Sequence, residues 1–193
     1  MSFYSRRLHH WHPEEAAFFV TWRLKGTLPK GLRRTSLEDT KFSNKPQETA
    51  FLAEDRRLDR AQTGPLWLRR TEVARGVEIA LLEGDHRWNW YRLDAWVIMP
   101  NHIHTLMKPN LPLHRAVMNV KSATARAANR VLGKTGRTFW QDEFYDHWIR
   151  TDTERARIID YIEYNPVAAG FASEPEEYPW SSARVRLRGQ KQG

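Results

Sequence analysis

The chain has 193 residues, long enough to bury the core of one domain, and one domain is therefore the expected organisation. It has no cysteine, which excludes disulfides and thiolate metal sites, and its 31 Lys plus Arg against 23 Asp plus Glu give a formal charge of +8. No apolar stretch at the N-terminus has the length of a signal peptide or membrane span, so we expect a cytoplasmic protein without a membrane partner.

The first predicted element is a strand at residues 16–26, "AAFFVTWRLKG", where aromatic and β-branched residues partly alternate with others. A polar arm at residues 1–14 precedes it, and an irregular connection at residues 27–47 follows. Apolar residues at helical spacing then predict two helices, at residues 47–60 and 73–82.

A hairpin is predicted next, because "WNWYRLDAWVIM" at residues 88–99 and the following "HIHTLMKP" are separated only by Pro100-Asn101. Strands joined by so tight a turn are antiparallel. Residues 111–132 have one apolar face and predict a helix that ends at Gly133.

A short strand is predicted within "FWQDEFYDHWIR", and a last helix is predicted at residues 154–164. A capping box formed by Thr151 and Glu154 opens this helix, and Asn165-Pro166 is expected to end it, because the residue before proline resists the α conformation. "YPWSS" then closes the domain.

This order of elements predicts an α+β fold, a ferredoxin-like two-layer sandwich with a central antiparallel sheet and extra helices. We expect one domain over residues 1–183 and a basic, disordered tail over residues 184–193.

Two histidines, His102 and His104, lie one residue apart on the returning strand. Side chains two residues apart on a strand point to the same face, so both imidazoles can converge on one divalent cation. Two ligands are too few for a closed structural zinc site but suit an open catalytic one. The alternative is a pair of hydrogen-bonded sheet histidines without a metal.

Tyr145 in "EFYDHWIR" is the candidate nucleophile, since the sequence has no cysteine and no G-x-S-x-G motif. A tyrosine phenol, whose usual pKa is about 10, needs a nearby base or cation to attack a phosphate. The alternative is that Tyr145 is an ordinary core aromatic.

A basic segment without any acidic residue extends from residue 111 to residue 141. Such single-sign charge attracts polyanions, most commonly nucleic acid, although a solvated helix face would have the same composition. The candidate DNA contacts in this segment are Lys121, Arg126, Arg130, Lys134 and Arg137.

Four motifs in this order, "AWVIMPNHIHTLM", "FWQDEFYDHWIR", "YIEYNPVAAGF" and "YPWSSA", resemble those of the REP-associated tyrosine transposases. These enzymes are a branch of the single-tyrosine HUH transposases. The resemblance implies a ferredoxin-like nuclease domain acting on single-stranded DNA, often a hairpin from a repetitive extragenic palindrome (REP). It also implies that His102 and His104 bind Mg²⁺ or Mn²⁺.

The resemblance further implies attack by a tyrosine, which forms a 5′-phosphotyrosine link and releases a 3′-hydroxyl. A second DNA end can then be joined without a nucleotide cofactor. The expected enzyme acts in the cytoplasm at the nucleoid, and a monomer is favoured over a dimer.

One position departs from many relatives, which have tyrosine where this chain has Phe144. Tyr145 is therefore assigned as the nucleophile. His147 is expected as a third metal ligand or a proton carrier. Asn101 is expected to shape the turn, and Asn165 to cap a helix or take part in function.

Two other functions stay open. The first alternative to the strand-transfer enzyme is a hairpin-DNA-binding protein whose chemistry is impaired, as Phe144 would suggest. The second is a metal-dependent phosphodiesterase that forms no covalent intermediate.

Overall fold

The computed structural model of the protein describes residues 16–27 and 64–190. The predicted polar arm at residues 1–14 and the predicted helix at residues 47–60 lie outside the described residues. So does nearly all of the irregular connection between residues 27 and 47.

Four strands form one antiparallel sheet in the order β2-β3-β1-β4, comprising β1 (Phe18–Arg23), β2 (Tyr91–Ile98), β3 (His102–Pro109) and β4 (Tyr145–Trp148). β1 lies in the middle, between the hairpin strand β3 and the short β4. This is the strand order of a ferredoxin-like fold, and it confirms the predicted α+β class.

Two helices, α1 (Thr71–His86) and α2 (Leu113–Leu132), pack against each other and against one face of the sheet. Strand residues of alternating position supply the core beneath them, because successive side chains point to opposite faces. These core residues include Phe18, Val20, Trp22, Trp96, Ile98, Ile103 and Met107. As predicted, α2 ends at Gly133, which adopts the left-handed conformation with φ 64°.

The opposite face of the sheet is covered by α3 (Asp152–Ala168). Ile162 of this helix packs with Phe19, Val97 and Leu106, which alternate with the residues of the first core. The extra helix that the sequence predicts after β4 therefore makes a third layer, and it roofs the face to which the two histidines point.

The free edge of β2 is covered by the segment before the last helix, α4 (Ser182–Gln190). The Ile98 amide donates to the Trp180 carbonyl at 2.9 Å, and the Trp96 amide donates to the Ser182 hydroxyl at 3.1 Å. Residues 184–190 of the expected disordered tail belong to α4, and Arg186 donates to the Asp94 carbonyl at 2.6 Å.

The strand predicted over residues 88–99 begins only at Tyr91. Trp88 and Trp90 belong to the preceding turn, in which Asn89 has φ 49°. Asparagine tolerates this left-handed conformation better than most residues, and it ends the extended pattern that the tryptophans suggest.

Helix α3 does not end at Asn165-Pro166 as predicted but continues to Ala168. The Ala169 amide donates to the Asn165 carbonyl at 3.0 Å, so the helical bonding resumes after the proline. Pro166 is buried, and its packing offsets the one helical hydrogen bond that it cannot donate. The chain turns at Gly170, where φ is 75°.

The predicted cap at the start of α3 is present in part. The Thr151 hydroxyl accepts from the Glu154 amide at 3.1 Å. The Glu154 carboxylate, however, accepts from the Arg150 amide at 2.8 Å, one residue before the cap. Within the described ranges, no helix is long and apolar enough to cross a membrane.

Candidate active site

Both histidines lie on β3 and point to the face that α3 covers. His102 and His104 are fully buried, and between them Ile103 points to the core on the other side. Their Nε2 atoms are 3.0 Å apart, so the two rings converge as their spacing predicts. Burying two imidazoles is costly unless their nitrogens have hydrogen-bond partners, and the Nδ1 atom of each ring has one outside the pair.

These partners extend the pair into a chain of four polar side chains across two strands. Nδ1 of His102 is 2.6 Å from Oδ1 of Asn101, and Nδ1 of His104 is 2.7 Å from the hydroxyl of Thr21 on β1. An amide oxygen only accepts, so His102 donates from Nδ1 and keeps a lone pair on Nε2. Asn101 therefore does more than shape the turn, since it orients the first histidine.

Thr21 decides what the second histidine can do, because a hydroxyl both donates and accepts. If Thr21 donates to Nδ1 of His104, then Nε2 of His104 carries the proton and donates to His102. If Thr21 accepts from Nδ1, both Nε2 lone pairs face the same point between the rings. That second arrangement is the one that binds a cation.

The two nitrogens fit a pair of ligands to a small divalent ion. Two atoms held about 2.1 Å from an ion at the right angles of octahedral coordination lie about 3.0 Å apart. The observed Nε2–Nε2 distance of 3.0 Å equals this value, although it also suits a hydrogen bond between the rings. The spacing thus fits two ligands of an ion the size of Mg²⁺ or Mn²⁺, and oxygen atoms of water and phosphate would supply the other ligands that such an ion prefers.

Tyr145 lies in the same cross-strand row as His104, but not next to it. On β1, Thr21 pairs with His104 on one side and with Tyr145 on the other. Neighbouring strands are about 4.8 Å apart, so the two backbones are separated by about 10 Å. The Tyr145 ring packs edge-on against Phe19, with 6.2 Å between the ring centroids.

A second tyrosine, Tyr161 of α3, faces the histidines directly. Its ring centroid is 5.9 Å from that of His104 and 5.9 Å from that of Phe19. Sequence reasoning missed this residue, although it lies in the quoted motif "YIEYNPVAAGF". The signal that could have found it is its position one helical turn before Asn165, a second polar residue on the buried side of the helix.

Asn165 is buried on α3 and does not cap the helix, since α3 continues for three more residues. The i to i+4 spacing puts it on the same side of α3 as Tyr161. The sequence left open whether this residue caps or functions, and its position excludes the cap.

His147, predicted as a third metal ligand, is held by α3 instead. Its Nε2 lies 2.8 Å from Oε1 of Glu154, and on the sheet it pairs with Phe19, two residues along β1 from Thr21. In the ranges that the structure describes, no group of three or more His, Cys, Asp or Glu side chains could hold a metal ion. The role of His147 as a third ligand stays a prediction, and in this structure its Nε2 is bound to Glu154.

The pKa of the Glu154 carboxylate is lowered. Partial burial would raise this pKa. Hydrogen bonds from the Arg150 amide and the His147 imidazole, together with the electrostatic effect of the His147 and Arg150 side chains, outweigh burial and lower the pKa below its usual value. The carboxylate thus stays ionised, and it ties β4 to the first turn of α3.

Phe144 packs in the core under α1 and α2, on the other side of the sheet from the histidines. A tyrosine at this position would extend into that core and away from the site. Phe144 therefore gives no reason to expect impaired chemistry.

The predicted DNA contacts belong to α2 and the loop after it, on the opposite side of the sheet from the histidines. Arg126, Arg130, Lys134 and Arg137 are exposed. Lys121 is buried, and its ammonium donates to the carbonyls of Gln141 and Asp142 at 2.6 and 2.8 Å. Lys121 is therefore not among the exposed cations, because its charge is used to hold the segment that leads into β4.

The chain resembles known proteins in sequence and in fold. Residues 74–165 match the family model described as "Transposase IS200 like", and this range includes both histidines and both tyrosines. The chain is 26% identical over 95 residues to the REP-associated tyrosine transposase of Escherichia coli K12, a match covering 48% of the chain and 54% of that relative. It is 35% identical over 101 residues to a Haemophilus influenzae protein assigned to the same group, covering 46% of the chain and 56% of that protein.

A solved REP-associated tyrosine transposase bound to a REP hairpin has the same fold. The TM-score is 0.55 at 19% identity, over 97% of this chain and 86% of the other.

The chain is similar to the REP-associated tyrosine transposases over just under half of its length. The resemblance drawn from its four motifs is confirmed. The chain spans just over half the length of the curated relatives that it matches.

Proposed function

We propose that the protein is a metal-dependent enzyme that nicks and rejoins single-stranded DNA at REP-type hairpins through a 5′-phosphotyrosine intermediate. The observation that carries this proposal is the position of Tyr161, whose ring centroid is 5.9 Å from His104, beside two imidazole nitrogens that converge at 3.0 Å. A nucleophile and a ligand pair in contact are what phosphoryl transfer requires.

We favour Tyr161 over the predicted Tyr145 as the nucleophile. Tyr161 reaches the histidines from the helix that roofs them, whereas Tyr145 is two strands from His104 with Thr21 between them. A nucleophile has to approach phosphorus from beside the ligand pair, and a helical roof allows this better than a neighbouring position on the same sheet.

In the proposed reaction, the deprotonated tyrosine oxygen attacks the scissile phosphorus. A bond forms between the phenol oxygen and phosphorus, and the bond from phosphorus to the 3′-oxygen of the leaving strand breaks. That oxygen takes up a proton and leaves as a 3′-hydroxyl. The 3′-hydroxyl of a second DNA end then attacks the phosphotyrosine, which frees the tyrosine and needs no nucleotide cofactor.

His102 and His104 would hold the cation through their Nε2 atoms, with Asn101 and Thr21 fixing the two rings. When bound there, Mg²⁺ or Mn²⁺ would polarise the scissile phosphate and stabilise the charge that develops on it. His147, paired with Glu154, remains a candidate proton carrier at the edge of the site.

The DNA backbone is proposed to contact the exposed cations of α2 and the following loop. Arg126, Arg130, Lys134 and Arg137 provide positive charge without a neighbouring acid in the sequence. Contacts of this kind position a strand and do not select its sequence.

The test is formation of a covalent adduct between the protein and a single-stranded REP-type hairpin in the presence of Mn²⁺. We expect wild type and Tyr145→Phe to form the adduct, whereas Tyr161→Phe and His104→Ala do not. Tyr164→Phe is the matched control, because Tyr164 lies on the same helix but is 56% exposed.

Each other outcome identifies a different function. An adduct that survives Tyr161→Phe but is lost in Tyr145→Phe would restore Tyr145 as the nucleophile. Hairpin cleavage with multiple turnover in both variants would indicate a phosphodiesterase without a covalent intermediate. Tight hairpin binding with no adduct and no cleavage by wild type would indicate a binding protein.

A further inference from the structure

A groove of about 550 Å³ lies between α1 and α2, on the side of the sheet away from the histidines. Small side chains form its floor, where the two helices approach closely, and aromatic and charged side chains form its walls. Its floor includes Gly76 and Ala127, and its walls include Glu83, Trp88, Arg126 and Arg130. Nothing in the proposed chemistry uses it.

One wall presents a flat aromatic surface to solvent. Trp88 is 50% exposed, and its ring stacks on that of Trp90 with 6.1 Å between centroids and 15° between planes. The guanidinium of Arg87 lies over the Trp88 ring at 4.7 Å. The face of the Trp88 ring thus already stacks with one planar group, the Arg87 guanidinium, and a nucleobase is a planar group of the same kind.

The turn that carries these tryptophans is held firmly. Asn110 donates from its side chain to Oδ1 of Asn89 at 2.6 Å and from its amide to the Trp90 carbonyl at 2.9 Å. The Trp90 amide in turn donates to the Gly84 carbonyl at 2.8 Å. A stacking surface that is fixed before binding loses little conformational entropy on binding.

The other wall is cationic. Arg126 and Arg130 are exposed and lie one helical turn apart on α2. Glu83, the acidic residue of the groove, is paired with Arg87 at 3.1 Å. This pair neutralises the Glu83 carboxylate, which leaves Arg126 and Arg130 as the positive charge of the groove. The combination of exposed indole and unopposed arginines suits a polyanion with flat rings.

We propose that this groove binds an unpaired stretch of DNA, with one base stacked on Trp88 and the flanking phosphates held by Arg126 and Arg130. An apolar peptide or a second copy of the chain would not account for the two arginines beside the exposed ring. The inference rests on the proposed function only in taking DNA as the substrate. It adds a strand-holding site that is separate from the site of cleavage.

The test is fluorescence anisotropy with the full chain and a labelled oligothymidylate of about 12 nucleotides, which has no hairpin and covers about one binding-site length for an unpaired strand. Trp88→Ala should weaken binding roughly tenfold or more, and Trp88→Phe, which keeps a ring, should restore most of it. Tyr164→Ala, which removes an exposed aromatic from α3, should bind as wild type does.

The arginines and the base are tested separately. Because each phosphate contact on a single strand contributes about 0.7 to the slope of log affinity against log salt, the double variant Arg126→Ala/Arg130→Ala should lower that slope by about 1.4. Arg157→Ala, an exposed arginine of α3, should not. On an abasic strand of equal length, wild type and Trp88→Ala should bind alike, since no base is left to stack.

Equal binding of the oligothymidylate by wild type and Trp88→Ala would overturn the proposal. So would a Trp88→Ala effect that persists on the abasic strand, or one that appears as a loss of self-association in sedimentation. The anisotropy requires neither cleavage nor a hairpin, so failure of the strand-transfer chemistry leaves this readout unchanged. Conversely, adduct formation by wild type with no Trp88 effect would reject the groove alone.

Discussion

The Thr21 hydroxyl lies 2.7 Å from Nδ1 of His104, while Nε2 of the same ring lies 3.0 Å from His102. One hydroxyl on the central strand therefore sets which nitrogen of His104 carries the proton. A cation needs the lone pair on Nε2, and that lone pair is available when Thr21 accepts from Nδ1.

Thr21→Val should accordingly weaken Mn²⁺ binding roughly 10- to 100-fold, since it keeps the shape of the side chain and removes the partner of His104. Titration calorimetry with Mn²⁺ measures this, and Thr21→Ser should bind almost as wild type does. Thr105→Val is the matched control, because Thr105 is buried on the same sheet but points to the other face. Equal losses in both valine variants would show that only general packing had been disturbed.

The Glu154 carboxylate should make the stability of the protein sensitive to acid. Its pKa in the folded chain is below the usual 4.5, so its contribution is complete above about pH 4.5 and is lost as the pH falls through the lower, folded value. We expect Glu154→Gln to unfold at lower urea concentration than wild type at pH 7. The difference should shrink as the pH is lowered from 5 to 3.

The urea midpoint followed by circular dichroism gives this comparison. Asp160→Gln is the control, because Asp160 is an exposed carboxylate of the same helix. A difference between wild type and Glu154→Gln that stays constant down to pH 3 would contradict an ionised Glu154 as the tie between β4 and α3.

The fold was predictable because hydrophobic patterns are local. Alternation in "FFVTWR" and the tight turn at Pro100-Asn101 predict strands that the structure contains, and four motifs in order predict their arrangement. The predicted ends of β2 and α3 are wrong where the conformation of a single residue decides the end of the element. Asn89 accepts a left-handed turn and delays β2, and burial of Pro166 lets α3 continue past it.

Of the candidate site, only the histidine pair on β3 was predictable from the sequence. Two histidines on one strand must share a face, whatever the rest of the chain does. Tyr161 follows the histidine pair by 57 residues, and only the packing of α3 places it beside His104. Thr21 lies still farther away, before the pair, and only the register of β1 places it opposite His104. The sequence favours Tyr145 because other nucleophile motifs are absent, and that absence says nothing about the distance of Tyr145 from His104.

Lys121 should behave as a structural residue and not as a DNA contact. Lys121→Met keeps the apolar stem but leaves the Gln141 and Asp142 carbonyls without their charged donor, which should cost roughly 1–3 kcal/mol of stability. The salt dependence of DNA binding should not change. Arg126→Met should show the reverse, with stability within about 0.5 kcal/mol of wild type and a smaller salt slope.

Urea unfolding and DNA binding at several salt concentrations separate the two roles of these cations. A reduced salt slope in Lys121→Met, with unchanged stability, would mean that Lys121 leaves its buried position and reaches phosphate.

Two glycines of α1 should respond oppositely to the same substitution. A Cβ on Gly84 would overlap the Tyr91 hydroxyl, which donates to the Leu81 carbonyl at 2.8 Å. Tyr91 is buried between helix and sheet and cannot move aside, so Gly84→Ala should destabilise the protein by roughly 1–3 kcal/mol.

A Cβ on Gly76 would instead meet the Cβ of Ala127 at 3.5 Å, an ordinary contact. Since alanine is favoured over glycine in a helix interior, Gly76→Ala should stabilise the protein by roughly 0.5–1 kcal/mol. Urea midpoints of the two variants, measured side by side, test the close approach of α1 to Tyr91. If Gly84→Ala matched Gly76→Ala in stability, α1 would have to lie farther from β2 than the structure places it.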